Sequence, residues 1–141
     1  MAELTLEGAR RVLRDKFAPW IHDLGLEFAA IAPGQVQIRL PYSERLARAG
    51  GMICGQALMA VADTGMVFAV AAKAGGFVEM ATVGQTTSFF RAAPGSDLMC
   101  DIRVIRMGRT LAFGEAVLTA PDRPNDPVAK ASLTYALAPP K

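Results

Sequence analysis

One carboxylate stands alone in the most apolar part of this sequence. Asp63 is the only acidic residue between Arg45 and Val78, and apolar side chains surround it on both sides. A buried carboxylate is costly unless it is paired, hydrogen-bonded or protonated, so its presence needs a reason. We predict that Asp63 acts as a general base toward water or as a nucleophile toward a carbonyl carbon. The alternative is a structural role, in which the carboxylate satisfies a buried donor between subunits.

Two residues shortly before Asp63 could assist such a reaction. Gly55 is expected at the N-terminus of the helix that carries Asp63, where free N–H groups stabilise negative charge on a carbonyl oxygen. Gln56 precedes Asp63 by about two helical turns and lies on nearly the same face, so its amide could line the same pocket. Each residue also has a plain structural explanation, Gly55 as an ordinary helix start and Gln56 as a cap partner.

Cys54 is a second candidate nucleophile, because a thiol at a helix N-terminus can ionise more readily than a free one. Such a cysteine usually needs a histidine base, and the single histidine, His22, follows the first helix, far from Cys54 in the sequence. We therefore expect Cys54 to contact the substrate and not to attack it. Two cysteines and one histidine also favour neither a disulfide framework nor a metal site, and no cofactor is expected.

Glycines and prolines divide the chain into helices and strands. The apolar segment 55–74 lies between Gly50-Gly51 and Gly75-Gly76 and predicts a helix buried on most faces. A short amphipathic helix after Thr5 precedes it, with apolar residues at helical spacing. The domain, over residues 1–141, is expected to be α+β, with an antiparallel sheet wrapped around the long helix. The strands are predicted at 26–32, 36–40, 79–91, 97–106, 111–120 and 128–137.

Composition and charge argue against several classes of protein. Apolar residues make up 52% and charged residues 20% of the 141 residues, which is typical of a globular domain. The arginines form no basic stripe with interleaved aromatics, so nucleic acid is not an expected partner. A membrane span over 55–74 would place Asp63 near the bilayer centre at a high cost, so no membrane partner is expected. Without a signal-peptide pattern, we expect a cytoplasmic protein.

The segment 48–64, Arg-Ala-Gly-Gly-Met-Ile-Cys-Gly-Gln-Ala-Leu-Met-Ala-Val-Ala-Asp-Thr, resembles the signature of the PaaI-like acyl-CoA thioesterases. That family carries Asn-x-x-Gly-x-x-His-Gly-Gly, followed seven residues later by Asp on the central helix. Gly51, Gly55 and Asp63 match this pattern. The strand after Thr82 and the hairpin at 108–112 are similar too, so the resemblance covers nearly the whole chain. The three departures from the signature are Arg48, Cys54 and Gln56.

The resemblance implies a hotdog fold and the hydrolysis of acyl-CoA or aryl-acyl-CoA thioesters to free acid and CoA. It also implies a site at a dimer interface, in a homodimer or a homotetramer of two dimers. Thr82 matches a family hydroxyl that helps place the attacking water, and Gly55 a backbone N–H that polarises the thioester. A non-catalytic acyl-CoA-binding hotdog protein is the alternative, whereas a hydratase would need an acid and a histidine close together. Substrate contacts are expected from Gln56, Cys54, Arg48 and Arg91, the arginines through the CoA phosphates.

Overall fold

The amino-terminal part of the chain forms two helices and not the single helix that the sequence predicts. The computed structural model describes residues 3–138. Helix α1 runs Leu6–Lys16 with Thr5 as its N-cap, as predicted, and α2 is a single turn, Pro19–His22. A residue before proline is held out of the helical conformation, and Ala18 is accordingly extended, with ψ 146°. The break places Trp20 on α2, where 61% of it is exposed.

Six antiparallel strands form one sheet, as predicted. They are β1 Glu27–Ala32, β2 Gln35–Leu40, β3 Met80–Phe89, β4 Leu98–Met107, β5 Leu111–Thr119 and β6 Ala129–Leu137. The order across the sheet is β1-β2-β4-β5-β6-β3. Consecutive strands pair from β1 to β2 and from β4 to β6, whereas β3 pairs with β6 and forms one edge of the sheet.

The predicted central helix is α3, Gly55–Ala74, and it packs against one face of the sheet. Glycines at the contact allow a close approach of helix and sheet. A Cβ atom on Gly65 of α3 would lie 2.5 Å from Cδ1 of Ile102, and one on Gly114 of β5 would lie 2.5 Å from Sδ of Met66. At the other end of the core, Phe68 of α3 stacks on Phe17 with the ring centroids 5.5 Å apart. This helix and the sheet together form the two layers of a hotdog fold.

Helix α3 is long and apolar enough to cross a membrane, but 72% of its most apolar window is buried within the fold. It therefore has the surroundings of a core helix, in agreement with the sequence prediction. One stripe of its first half is left uncovered. Gln56 and Met59 are exposed and Asp63 is half-buried, at positions that fall on one helical face. We call Gln56, Met59 and Asp63 the open stripe.

Candidate active site

Two hydroxyl groups from the sheet contact the Asp63 carboxylate. The Thr82 hydroxyl on β3 donates to Oδ1 of Asp63 at 2.8 Å. The Tyr135 hydroxyl on β6 lies 2.6 Å from the same Oδ1 and 2.6 Å from the Asp63 carbonyl oxygen. Thr82 and Tyr135 are paired directly across the two strands, so the register of β3 on β6 brings both to Asp63. The structure thus brings the two predicted residues, Asp63 and Thr82, into contact. It adds Tyr135, which the sequence did not predict.

Tyr135 is nearly inaccessible to solvent, with 2% of its surface exposed. Burial raises the pKa of its phenol well above the ordinary value, and the hydrogen bond to the Asp63 carboxylate raises it further. The hydroxyl group therefore stays protonated at neutral pH and acts as a permanent donor to Asp63. A tyrosine at an inward position of the last strand is typical of a core residue, so only the strand pairing reveals this contact.

Asp63 itself is half-buried, whereas the sequence predicts a buried carboxylate. The reason is the open stripe of α3, which neither the sheet nor α1 covers. Both side-chain hydrogen bonds reach Oδ1. Among the described residues, Oδ2 has no hydrogen-bond partner. The arrangement fixes the carboxylate by one oxygen and leaves the other able to accept a proton or attack a carbonyl carbon.

Asp63 opens into a cavity of about 290 Å³ along the open stripe. Gln56 lines the same cavity, as predicted from its place two turns before Asp63. Gln85 on β3 lines it as well, and its amide donates to the Met59 carbonyl oxygen at 3.2 Å. The remaining lining residues are Trp20, Met59 and Ala60.

Gly55 opens into a different cavity, of about 390 Å³, at the N-terminus of α3. It is the first residue of the helix, as predicted, so its N–H has no acceptor within the helix. The ring of Phe89 lies close by, since a Cβ atom on Gly55 would be 3.3 Å from it. The preceding turn depends on Gly51, whose φ of 81° is easily adopted only by glycine. That signature glycine therefore shapes the loop that leads into the helix.

The two predicted arginines border the cavity at Gly55. Arg48 is exposed, and Arg91 is half-buried against the 121–127 loop. The Nη2 of Arg91 donates to the carbonyl oxygen of Asp126 at 3.0 Å, and its Nε is 3.4 Å from Oδ2 of the same residue. Arg91 is thus held in place by Asp126, whereas the Arg48 guanidinium hydrogen-bonds, among the described residues, only to a methionine, with its Nη2 3.4 Å from Sδ of Met52. Arg106 and Arg109 line neither this cavity nor the one at Asp63.

Cys54 is the N-cap of α3 and makes no side-chain capping hydrogen bond. It lines a third cavity, of about 230 Å³, together with Trp20, Arg45 and Gln56. No histidine is among the residues that line it. The Nε2 of His22 lies 2.9 Å from the carbonyl oxygen of Leu13. The His22 ring is thus hydrogen-bonded to α1, and it does not line the cavity of Cys54.

The long apolar helix inside a six-stranded antiparallel sheet, with a hydroxyl-held acid at its middle, defines a hotdog-fold hydrolase. Comparison with known proteins gives the family. The sequence profile of the thioesterase superfamily matches residues 50–125, and the chain belongs to that superfamily of thioester hydrolases. The sequence prediction of a hydrolase with this fold is confirmed.

Three solved structures illustrate the similarity. Thioesterase superfamily member 2 of zebra fish has a TM-score of 0.84 at 23% identity, over 96% of this chain and 100% of that chain. The PaaI protein of E. coli, from the phenylacetic acid degradation operon, has a TM-score of 0.80 at 14% identity, over 94% and 91%. A hypothetical thioesterase of Streptococcus pneumoniae, solved with coenzyme A, has a TM-score of 0.74 at 16% identity, over 82% and 88%. The shared fold, together with the superfamily match, confirms the resemblance to PaaI-like thioesterases.

Proposed function

We propose that the protein hydrolyses acyl-CoA or aryl-acyl-CoA thioesters to the free acid and CoA, with Asp63 as the catalytic residue. The observation that supports this most directly is that one oxygen of the Asp63 carboxylate is hydrogen-bonded and the other is not. Thr82 and Tyr135 hold Oδ1, Oδ2 has no hydrogen-bond partner among the described residues, and Asp63 lines a cavity beside the open stripe. A carboxylate used only to satisfy buried donors would not need a free oxygen at a cavity.

Asp63 is proposed to act by one of two routes. As a general base, it takes a proton from water while the water oxygen bonds to the thioester carbon; the carbon–sulfur bond then breaks, and the thiolate of CoA takes up the proton. As a nucleophile, Oδ2 bonds to that carbon and expels the thiolate, and water then hydrolyses the resulting anhydride. A single turnover in ¹⁸O-labelled water tests the nucleophilic route. If water attacks the Asp63 carbonyl carbon of the anhydride, the label stays on Asp63, and the first acid formed carries one oxygen from Asp63 and none from water. General-base attack puts the label in the first acid formed and leaves Asp63 unlabelled. Water attack on the acyl carbon of the anhydride labels the acid too, and trapping of the anhydride with hydroxylamine distinguishes that case from the general-base route.

Gly55 and Asp63 are proposed to act on one thioester from two different chains. They are eight positions apart in α3, which is about 12 Å along a helix. Groups that act on one carbonyl each approach it to about 3–3.5 Å. The two residues also line different cavities in the single chain. The Gly55 N–H of one chain would therefore polarise the carbonyl beside Asp63 of its partner.

Strand β3 is the surface by which we propose that the dimer forms. It is an edge strand with mostly exposed side chains, among them Val83, which is 62% exposed. Unpaired edges with apolar side chains readily pair with another chain. Ile105, Leu111 and Phe113 are exposed on other strands and could join two dimers into a homotetramer. A homodimer is the smallest assembly that completes the site.

CoA is proposed to bind with its phosphates at the cavity bordered by Arg48 and Arg91. Guanidinium groups suit phosphate oxygens, and the Gly55 N–H lies at the same cavity. Gln56 and Cys54 would contact the substrate from the first turn of α3. The coenzyme A in the S. pneumoniae structure supports this choice of ligand. With such a substrate, we propose that the protein works in the cytoplasm.

The test is a screen of the purified protein against acetyl-, hexanoyl-, palmitoyl- and phenylacetyl-CoA, with release of the CoA thiol as the measurement. We expect turnover with at least one, and a loss of about 10³-fold or more in Asp63→Asn. Asp101→Asn is the matched control, since this half-buried acid lies on β4, away from the cavity. Binding without turnover by the wild type would instead support the non-catalytic acyl-CoA-binding protein.

A further inference from the structure

The open stripe of α3 faces an aromatic ring from a separate element. Trp20 on α2 lines the cavity of about 290 Å³ that contains Met59 and Asp63. It also lines the cavity of about 230 Å³ that contains Cys54. Gln56 belongs to both cavities. The two spaces share Trp20 and Gln56 and are therefore neighbours along the first turns of α3. We call the two cavities together the groove.

The exposure of Trp20 is not the result of a loosely attached helix. Ile21 and Leu24, which follow Trp20 directly in and after α2, are buried, with 9% and 3% of their surfaces exposed. Trp20 itself is 61% exposed and Met59 is 39% exposed. A firmly anchored turn thus presents a large apolar ring to solvent in the same cavity as an exposed methionine. Large apolar side chains that remain uncovered next to a site are typical of ligand contacts.

The lining of the groove has the chemistry of an apolar group with a polar end. Trp20, Met59 and Ala60 supply apolar surface, while Asp63 and Gln85 form the polar end. An indole ring offers a large face against which apolar groups stack. The flexible thioether of methionine adapts to different shapes and makes favourable contacts with aromatic rings.

We propose that Trp20 and Met59 form the subsite for an apolar acyl group and that Trp20 determines the acyl preference of the enzyme. This inference rests on the proposed function, because it places the thioester carbonyl at Asp63. With the carbonyl there, the acyl chain extends along the open stripe under the Trp20 ring. The CoA portion extends out of the groove from the other side of the thioester carbonyl, away from the acyl chain.

Trp20 is the only tryptophan in the chain, so its fluorescence reports on this subsite alone. The experiment titrates the wild-type protein with CoA and with non-hydrolysable thioether analogues of hexanoyl- and phenylacetyl-CoA, while calorimetry measures binding. We expect the analogues to shift the Trp20 emission to shorter wavelength and CoA alone to leave it unchanged. Binding of the analogues without a change in emission would overturn the proposal, as would an equal change with CoA alone.

The second arm uses Trp20→Ala and Trp20→Phe. We expect Trp20→Ala to lower kcat/KM for hexanoyl- and phenylacetyl-CoA by about 10–100-fold relative to acetyl-CoA, and Trp20→Phe to restore most of the loss. Leu6→Ala is the control, because Leu6 is also an exposed apolar residue but lies on α1 and lines neither cavity. If Trp20→Ala lowers kcat/KM for acetyl-CoA as much as for the longer thioesters, or lowers the oligomer mass in light scattering, Trp20 supports folding or assembly. Either result would overturn its proposed role in acyl-group preference. If the wild type hydrolyses no thioester, the fluorescence arm still decides whether Trp20 contacts the acyl group.

Discussion

Asp63 depends on two hydroxyl donors that differ in their surroundings. Thr82 is exposed on the edge strand, whereas Tyr135 is buried inside the sheet. We expect Tyr135→Phe and Thr82→Ala each to lower kcat by about tenfold, roughly the value of one hydrogen bond to a charged group, with little change in KM. Both losses should be far smaller than that of Asp63→Asn, because the donors orient the carboxylate and only Asp63 takes part in bond making.

Steady-state kinetics of the three variants check this ranking. Thr82→Val separates the effect of losing the hydroxyl from the effect of losing side-chain packing, since valine has nearly the shape of threonine. Tyr135→Phe does the same, because phenylalanine has nearly the shape of tyrosine. A loss in Thr82→Val as large as in Asp63→Asn would contradict the assigned roles.

The raised pKa of Tyr135 predicts a pH dependence of stability. A tyrosine in an unfolded chain has a pKa of about 10, and the value in the fold is higher because of burial. The contribution of the protonated phenol is therefore complete below about pH 10 and is lost as the pH rises above it. We expect the free energy of unfolding of the wild type to fall more steeply above pH 10 than that of Tyr135→Phe.

Urea unfolding at intervals from pH 8 to pH 11 measures both curves. The buried thiol of Cys100 also has a raised pKa because of burial, but it is present in both proteins and cancels in the difference. Parallel curves above pH 10 would show that Tyr135 does not contribute in this way.

Cys54 should be dispensable for the reaction. It caps α3 through its backbone, and no histidine shares its cavity. We expect Cys54→Ser to keep activity within about threefold of the wild type, because the helix-start N–H groups remain and serine is a good N-cap. An inactive Cys54→Ser, or an acyl group trapped on Cys54 in mass spectrometry, would make the thiol the nucleophile.

Some of these residues could be identified from the sequence and others could not. Asp63 stood out because a charged group in an apolar helix is costly, and Thr82 was found because it matched a family position. Tyr135 and Trp20 are different, since a tyrosine in a strand and a tryptophan after a helix are ordinary residues. The role of Tyr135 depends on which strands pair, and that of Trp20 on the direction in which the chain continues after Pro19. Local sequence patterns specify neither.

At the scale of elements, the close contact between α3 and the sheet depends on glycine. A Cβ atom on Gly114 would lie 2.5 Å from Sδ of Met66 and 2.8 Å from the carbonyl oxygen of Arg103. The methionine can move aside, but the backbone carbonyl cannot do so without disturbing β4. We expect Gly114→Ala to destabilise the fold by about 1–3 kcal/mol. Thermal and urea unfolding measure the loss.

Gly108→Ala is the matched control for this prediction. A Cβ atom at Gly108 would meet only the carbonyl oxygen of Leu111, at an ordinary 3.7 Å. We expect this variant to change stability by less than about 1 kcal/mol. Equal losses at both glycines would show that backbone flexibility, and not the helix–sheet contact, explains the requirement at Gly114.

Most elements were predicted to within two residues, because glycine pairs bound α3 and alternation marks the strands. The pairing of β3 with β6 was not predicted. These strands lie far apart in the sequence, and their contact is decided by how the sheet wraps α3, which no local pattern encodes. The division between α1 and α2 could have been predicted from Pro19, since the residue before a proline leaves the helical region.

At the scale of the whole molecule, the sequence predicted a second copy from a general argument, that one sheet and one helix leave an edge to cover. The proposed function adds a particular reason, because Gly55 and Asp63 are eight positions apart in α3, about 12 Å along the helix, whereas the proposal has both act on one carbonyl. We expect light scattering after gel filtration to give the mass of a dimer or a tetramer. A stable, active monomer would remove the need for a shared site.

Complementation between two inactive variants tests the shared site directly. Asp63→Asn removes the carboxylate, and Gly55→Pro removes the N–H donor while placing a Cβ atom 3.3 Å from the ring of Phe89, which must shift slightly. Proline is well tolerated at the first position of a helix, and Cys54 before it already has the extended conformation that proline requires, with φ −70° and ψ 151°. Each variant alone should lose about 10²-fold or more in kcat, while circular dichroism shows an intact fold.

In a mixed dimer of these variants, purified through two different affinity tags, one site combines the intact Gly55 of the first chain with the intact Asp63 of the second. That site should be active and the other inactive, so the mixed dimer should regain about half of the wild-type activity. If both groups came from one chain, each chain would lack one of them and the mixed dimer would stay inactive. A double variant carrying both changes, paired with the wild type, is the control. If the site is shared, this mixed dimer should be inactive, because each site then contains one defective group. If each chain forms its own site, the wild-type chain keeps an intact one and the mixed dimer should have half of the wild-type activity.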